Sequence, residues 1–303
     1  MISLAQAMMK YLMTKSIWMC ACLIFASFAL LYPVTTHAGI IDSLLKSMDN
    51  AGKPDKTENM AKTGSDGKVI LKFEKPKDKK FNIIKKYAED SSELKESVDL
   101  INDTFILPRN LVVNFEENEE GPYYDVGSSV IVMNYDFIEY LSDRYAKKYP
   151  DAPKNSKYQF TIGNTIFFLY HEIAHAFIDI YRIPIVSNEE TAADNLSVIL
   201  ALEYREDGYD IVMNSAELFD MFDQDNARYD EDELWDEHSL DSQRFYNIVC
   251  LTYGRYPQKV KAEAKENKNK TMLKFIERRG DYCEAEYKRQ LANWSALLGG
   301  HIK

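Results

Sequence analysis

Tyr170-His171-Glu172-Ile173-Ala174-His175 is the stretch on which the reading of this chain turns. It lies in a run from Tyr158 to about Ile180 where Ile162, Ile166, Phe167, Phe168, Leu169, Ile173, Phe177 and Ile178 leave almost no polar face, the pattern of a buried helix. Residues four apart stand one turn from each other on the same helix face, so His171 and His175 can aim both imidazoles at one ion. Glu172 stands about 100° further round, close enough to reach a water held there without ligating the metal itself. Two imidazoles and a carboxylate inside an apolar helix are costly unless paired or metal-bound, which favours a metal site over satisfied core histidines. The layout predicts a zinc hydrolase.

A catalytic zinc usually keeps three protein ligands and one open position, so a third donor is expected nearby. Asp179 continues the row of His171 and His175, but eight residues of helix place it about 12 Å from His171, too far to share an ion. Beyond Pro184 a second helix is expected from Asn188 to Tyr204. Within it Glu190 and Asp194 are four apart, as a ligand and an outer carboxylate holding a histidine N–H would be. That spacing prefers Glu190 to Glu189 as the ligand. A solvated acidic first turn complementing the helix dipole also accounts for Glu189 and Glu190, though not for Asp194 among apolar neighbours. Ala174, Ala176, Ala192 and Ala193 are small enough for the two helices to approach closely.

The segments H-E-I-A-H-A-F-I-D, I-P-I-V and E-E-T-A-A-D resemble a bacterial metallopeptidase family catalogued as a domain of unknown function, itself similar to the thermolysin-type zincins with a glutamate ligand. The resemblance runs from about residue 68 to 297 and takes in Asn102 to Pro108, Glu237 to Asp241, Gln243-Arg244, Cys250 to Gly254 and Cys283 to Glu286. It implies zinc at His171, His175 and Glu190 with Glu172 as catalytic base. Fourteen residues separate His175 from Glu190, fewer than in thermolysin, so the likeness does not place the substrate groove. Hydrolysis passes through a tetrahedral oxyanion that a donor beside the metal would stabilise, and His238, Arg244 and Tyr246 are the candidates. A downstream histidine does this in thermolysin-like enzymes, which points to His238; the competing reading is a structural histidine near a helix N-terminus. Ser239 is expected to cap that helix, Leu240 to Tyr253, with Gly254 ending it.

The rest of the chain frames this site. Met1 to Ala38 has Lys10 and Lys15, no acidic residue and an apolar run from about Ile17 to Leu31, which fits a secretory signal peptide cleaved after Ala38; an uncleaved anchor is the alternative. Export predicts a periplasmic or secreted protein. Loss of the two lysines takes the net charge from −11 to −13, which excludes nucleic-acid binding by counterion release and adhesion to anionic lipid. Cys250 and Cys283 then remain as an even pair, read as one disulfide.

Residues 39–67 are polar and Lys/Asp-rich, a flexible arm, and 68–303 suffice for a single domain. Strands are expected at 68–73, 110–116 and 128–134, the last two as a hairpin. Helices are expected over 81–101 (broken near Ser91-Ser92), 135–148, 209–222 and 282–298. The fold class is therefore α+β: a mainly helical zincin-like domain with a small sheet or hairpin before the H-E-x-x-H helix. An edge strand of that sheet could receive an extended peptide by backbone pairing; an ordinary packed hairpin is the bland alternative. The expected function is hydrolysis of a peptide or protein substrate, and the alternative is a non-catalytic envelope protein that uses a metal-braced fold as a binding module.

Overall fold

Val69–Phe73 (β1), Leu111–Glu116 (β2), Tyr123–Asp125 (β3) and Val130–Asn134 (β4) form one sheet in the order β1-β2-β4-β3 in the computed structural model, which describes residues 67–186, 188–225 and 234–303. The leader and nearly all of the arm expected before Gly67, and the acidic residues 226–233, lie outside the described residues. β1 runs parallel to β2 (Val69 opposite Leu111) and β2 parallel to β4 (Val112 opposite Val130). The expected hairpin between β2 and β4 is thus corrected: its connection carries a strand of its own, β3, which pairs antiparallel with β4 (Tyr123 opposite Val132). A tight turn makes that pairing. Asp125 accepts hydrogen bonds from Gly127 N–H through Oδ1 (2.9 Å) and from Ser129 N–H through its carbonyl (2.8 Å), with Ser129 at φ 56°. β3 is left as an edge of the sheet.

The remainder is helical, so the chain is a mainly helical α+β fold. Asn82–Asp90 (α1) and Ser92–Thr104 (α2) are separated at Ser91, whose hydroxyl accepts from Leu94 N–H at 3.1 Å and caps α2. Tyr135–Lys148 (α3) has the expected bounds. Lys154–Ile180 (α4) starts a turn before the apolar run because Pro153 opens it and its first turn, Lys154 to Lys157, is polar. Glu189–Tyr204 (α5) and Gly208–Asp225 (α6) follow. α4 and α5 together supply the centre of the core: Ile166, Phe167, Ile173, Ala174, Ala193 and Val198 are all fully buried. No helix of the described residues is long and apolar enough to cross a membrane.

Asp241–Arg255 (α7), Pro257–Glu266 (α8) and Lys270–Leu298 (α9) close the fold. The last helix begins well before Tyr282, and α8 intervenes, so Cys250 and Cys283 join helices that are not consecutive; their Cα atoms are 4.9 Å apart. Trp294 and Leu298 face inward as expected, while Leu291 is only partly buried. Leu240, not Ser239, precedes α7 as its cap. Gly254 does not end the helix either. A Cβ there would lie 2.3 Å from the carbonyl oxygen of Cys283 and 2.5 Å from Cβ of Tyr287, so glycine is what lets α7 and α9 touch backbone to backbone beside the disulfide. Gly254→Ala is expected to lower stability by about 1 to 3 kcal/mol through overpacking, read as a lower midpoint in chemical denaturation. Replacing both cysteines by serine, which opens a closed loop of sequence separation 33, is expected to lower stability by roughly 3 to 4 kcal/mol.

Candidate metal centre

The geometry of the site begins with how α4 stops. Arg182 takes φ 52°, the left-handed position usually held by glycine, and two bonds close a Schellman motif: Ile183 N–H to Ile178 C=O (2.9 Å) and Arg182 N–H to Asp179 C=O (3.1 Å). Ile183 and Ile178 are both buried at this corner. The chain turns back at once. Asn188 caps α5 by accepting from Thr191 N–H (2.8 Å) and donates to the carbonyl of Glu237 (2.6 Å). The first turn of α5, with Glu189 and Glu190, is thereby set against the histidine turn of α4.

His171 Nε2 lies 3.0 Å from Glu190 Oε2, and His175 Nε2 lies 3.3 Å from Glu190 Oε1 and 3.2 Å from His171 Nε2. Single donor atoms of His171, His175 and Glu190 all fall within 4.8 Å of one another, so the cluster could hold a metal ion. The outer ring nitrogens are occupied. His171 Nδ1 pairs with Asp194 Oδ1 at 2.9 Å and His175 Nδ1 with Glu189 Oε1 at 2.8 Å. A carboxylate can only accept, so each Nδ1 carries its hydrogen, and each imidazole, once neutral, turns an Nε2 lone pair inward. Two Nε2 atoms and a carboxylate that converge on one point draw in positive charge, as protons on the Nε2 atoms or as a metal ion held by their lone pairs. Nitrogen, nitrogen and oxygen are the donors a divalent zinc-like ion takes, so the residues fit the metal.

The electrostatics agree. Burial works against protonation of His175, but Glu190 and Glu189 outweigh it and raise its pKa to about 9. For His171 burial is likewise overcome, by Asp194 and Glu190, and the pKa rises. Burial pushes Glu190 upward, yet its three histidine neighbours hold it far below the carboxylate range. Glu172, 5% exposed, goes the other way: burial raises its pKa while the histidines oppose the rise. The site is short of positive charge.

Glu172 faces a cleft of about 630 Å³, lined by Pro122, Tyr123, Tyr124 and Val126 around β3, by His171, His175, Ile178 and Asp179 of α4, and by Asn188, Glu189, Glu190, Glu237 and His238. Asp179 is no part of the metal cluster. It accepts from Tyr124 Oη (2.8 Å) and Arg109 (3.1 Å), which ties the edge strand to α4. His238 reaches the cleft with Nε2 at 3.1 Å from Glu190 Oε2, and its Nδ1 lies 3.0 Å from Asp236 Oδ1. The other two oxyanion candidates are placed elsewhere: Arg244 grips Asp194, and Tyr246 packs on Phe245 and Phe275.

Sequence reasoning missed the partnership of Glu189 with His175 and that of Asp236 with His238. Adjacency of Glu189 to Glu190 was the available signal for the first, and the i, i+2 spacing of Asp236 and His238 for the second.

No curated protein and no solved structure gives a match to the chain. The profile of the DUF4344 family, described as "Putative metallopeptidase", matches residues 73–298, a span that takes in the sheet from Phe73 onward, both helices of the histidine–carboxylate cluster and both cysteines. With most of its length and the whole histidine–carboxylate cluster inside that match, the chain belongs to this metallopeptidase family.

Proposed function

We propose that this protein is an exported zinc peptidase, with His171, His175 and Glu190 as metal ligands, Asp194 as the outer carboxylate of His171, and Glu172 as general base. The observation that carries the reading is the buried carboxyl of Glu172 facing the same cleft as the inward Nε2 atoms of two histidines whose Nδ1 hydrogens are already committed. When bound, zinc would supply Lewis-acid chemistry, acidifying a water and polarising the scissile carbonyl. Glu172 takes the proton from the attacking water, and burial, which raises its pKa, shifts it toward that role. The same carboxyl then hands that proton to the leaving amine. His238 has a carboxylate against each ring nitrogen, Glu190 at Nε2 and Asp236 at Nδ1, which raises its pKa and favours the imidazolium, and in that form its Nε2 donates a hydrogen bond to the oxyanion.

β3 gives the cleft a sheet edge beside the metal helix, against which an extended peptide can pair through its backbone. This geometry supports a peptide or protein as substrate, and so does membership of the family. The Met1 to Ala38 leader and the Cys250–Cys283 disulfide support a periplasmic or secreted location, with 39–67 as a polar arm ahead of the 68–303 domain.

Metal analysis and cleavage of a mixed peptide library test the reading. The expected result is about one zinc per chain in both wild type and Glu172→Gln, with cleavage by wild type alone. Zinc in both with cleavage by neither would overturn the peptidase and favour a metal-braced binding module. Among active preparations, His238→Ala is expected to lower kcat by about 10²- to 10³-fold with little change in KM, measured on any peptide the library yields.

A further inference from the structure

Arg244 comes from α7 yet ends directly behind the metal cluster. Its side chain is 9% exposed, and it grips Asp194 with both arms of the guanidinium: Nε donates to Oδ2 at 2.9 Å and Nη2 to Oδ1 at 2.8 Å. The same Oδ1 accepts the Nδ1 hydrogen of His171 at 2.9 Å. On its other side the guanidinium lies 4.2 Å from the ring centroid of Phe219 on α6. Four helices thus meet through one chain of contacts, Phe219, Arg244, Asp194 and His171, that ends on an inward Nε2.

The two histidines are supported unequally. Glu189, which holds His175, has a side chain 49% exposed and free to rotate toward water. Asp194, which holds His171, has a side chain only 4% exposed, and a planar fork seizing both of its oxygens leaves its carboxylate plane no freedom. A carboxylate so deep without a cation would be strongly destabilised, and with neither oxygen held it would be free to turn and release the imidazole it orients.

On these contacts, and resting on the ligand set proposed above, we infer that Arg244 is a positioning residue of the metal centre: through Asp194 it fixes the tautomer and ring plane of His171, and so the metal affinity of the site. It touches neither metal nor substrate. Its role is carried over two hydrogen-bonded links.

Zinc affinity of the full chain, read by competition with a coloured chelator, tests this without reference to turnover, and the visible spectrum of the cobalt-loaded protein reports ligand geometry. Arg244→Met, which fills a similar length without charge or donors, is expected to weaken zinc binding about 10- to 100-fold and to change the cobalt spectrum. Arg244→Lys, charged but without the fork, is expected to recover part of the affinity. Glu189→Gln, which leaves an acceptor for His175, is expected to cost less than Arg244→Met. Circular dichroism of each variant confirms folding. If Arg244→Met does not fold, Arg244→Lys alone carries the test. Wild-type affinity and an unaltered cobalt spectrum in the folded Arg244 variants would overturn the inference while leaving the ligand set standing. Wild type that binds no zinc would overturn the ligand set itself.

Discussion

The structure depends on a pairing of charges across two buried helices. Moving an ion out of water costs several kcal/mol unless a partner replaces the solvent, and here His171, Glu172 and Asp194 are all at or below 5% exposure. α4 and α5 satisfy one another. His171 meets Asp194 and Glu190, while His175 meets Glu190 and Glu189. The earlier histidine pairs with the later carboxylate, so the helices run in opposite directions at this point. Four residues advance about 6 Å on either helix, so the spacing of the histidines matches the spacing of Glu190 and Asp194. A slide of one helix by a turn would break every pair at once, and the register is fixed by the polar groups as much as by the apolar surface around them.

This pairing needs a sharp reversal between the helices, and the residues that make it are local. Arg182 in a left-handed conformation ends α4, the buried Ile183 folds the chain back over Ile178, and Asn188 restarts the helix so that Glu189 and Glu190 fall in its first turn. Carboxylates there are also favoured by the positive end of the helix dipole. Ala174 and Ala193, both fully buried, keep side-chain bulk out of the contact. On the other side, Tyr124 and Arg109 meet at Asp179, one turn beyond His175, so the sheet edge is held to the helix that carries the histidines.

Where local chemistry dictated structure, the residues could be read directly. The break at Ser91, the bounds of α3, and the opposition of Glu190 and Asp194 to the two histidines all follow from caps and i, i+4 spacing. What could not be read depends on the choice of partner in space. β2 and β4 alternate and terminate as two arms of a hairpin would; only the intervening Tyr123–Asp125, too short to show a period, decides that they run parallel. The end of α4 near Ile180 was legible from where the apolar run stops ahead of Pro184, although no glycine marks the left-handed Arg182, whereas Gly254 gave a false end because its glycine serves a helix contact. Arg244 looked like an oxyanion donor as a cationic side chain downstream of the site, and its engagement with Asp194 across 50 residues of sequence has no local signature.

The make-up of the centre suits the proposed chemistry better than it suits bracing. A structural zinc site is closed by four protein donors, whereas among the described residues the group that converges here has three, and His238, although 3.1 Å from Glu190, stands outside it. Protein contacts also tie these helices together: the disulfide joins α7 to α9, Arg244 joins α7 to α5, and apolar packing joins α4 to α5. A site open to a cleft, whose inner donors converge on one point, can turn those donors to a ligand as well as to one another. Glu172 makes the point most sharply. Its burial raises its pKa, a desolvation cost that a bracing role gives no reason to carry, and it lines the same cleft as the two histidines.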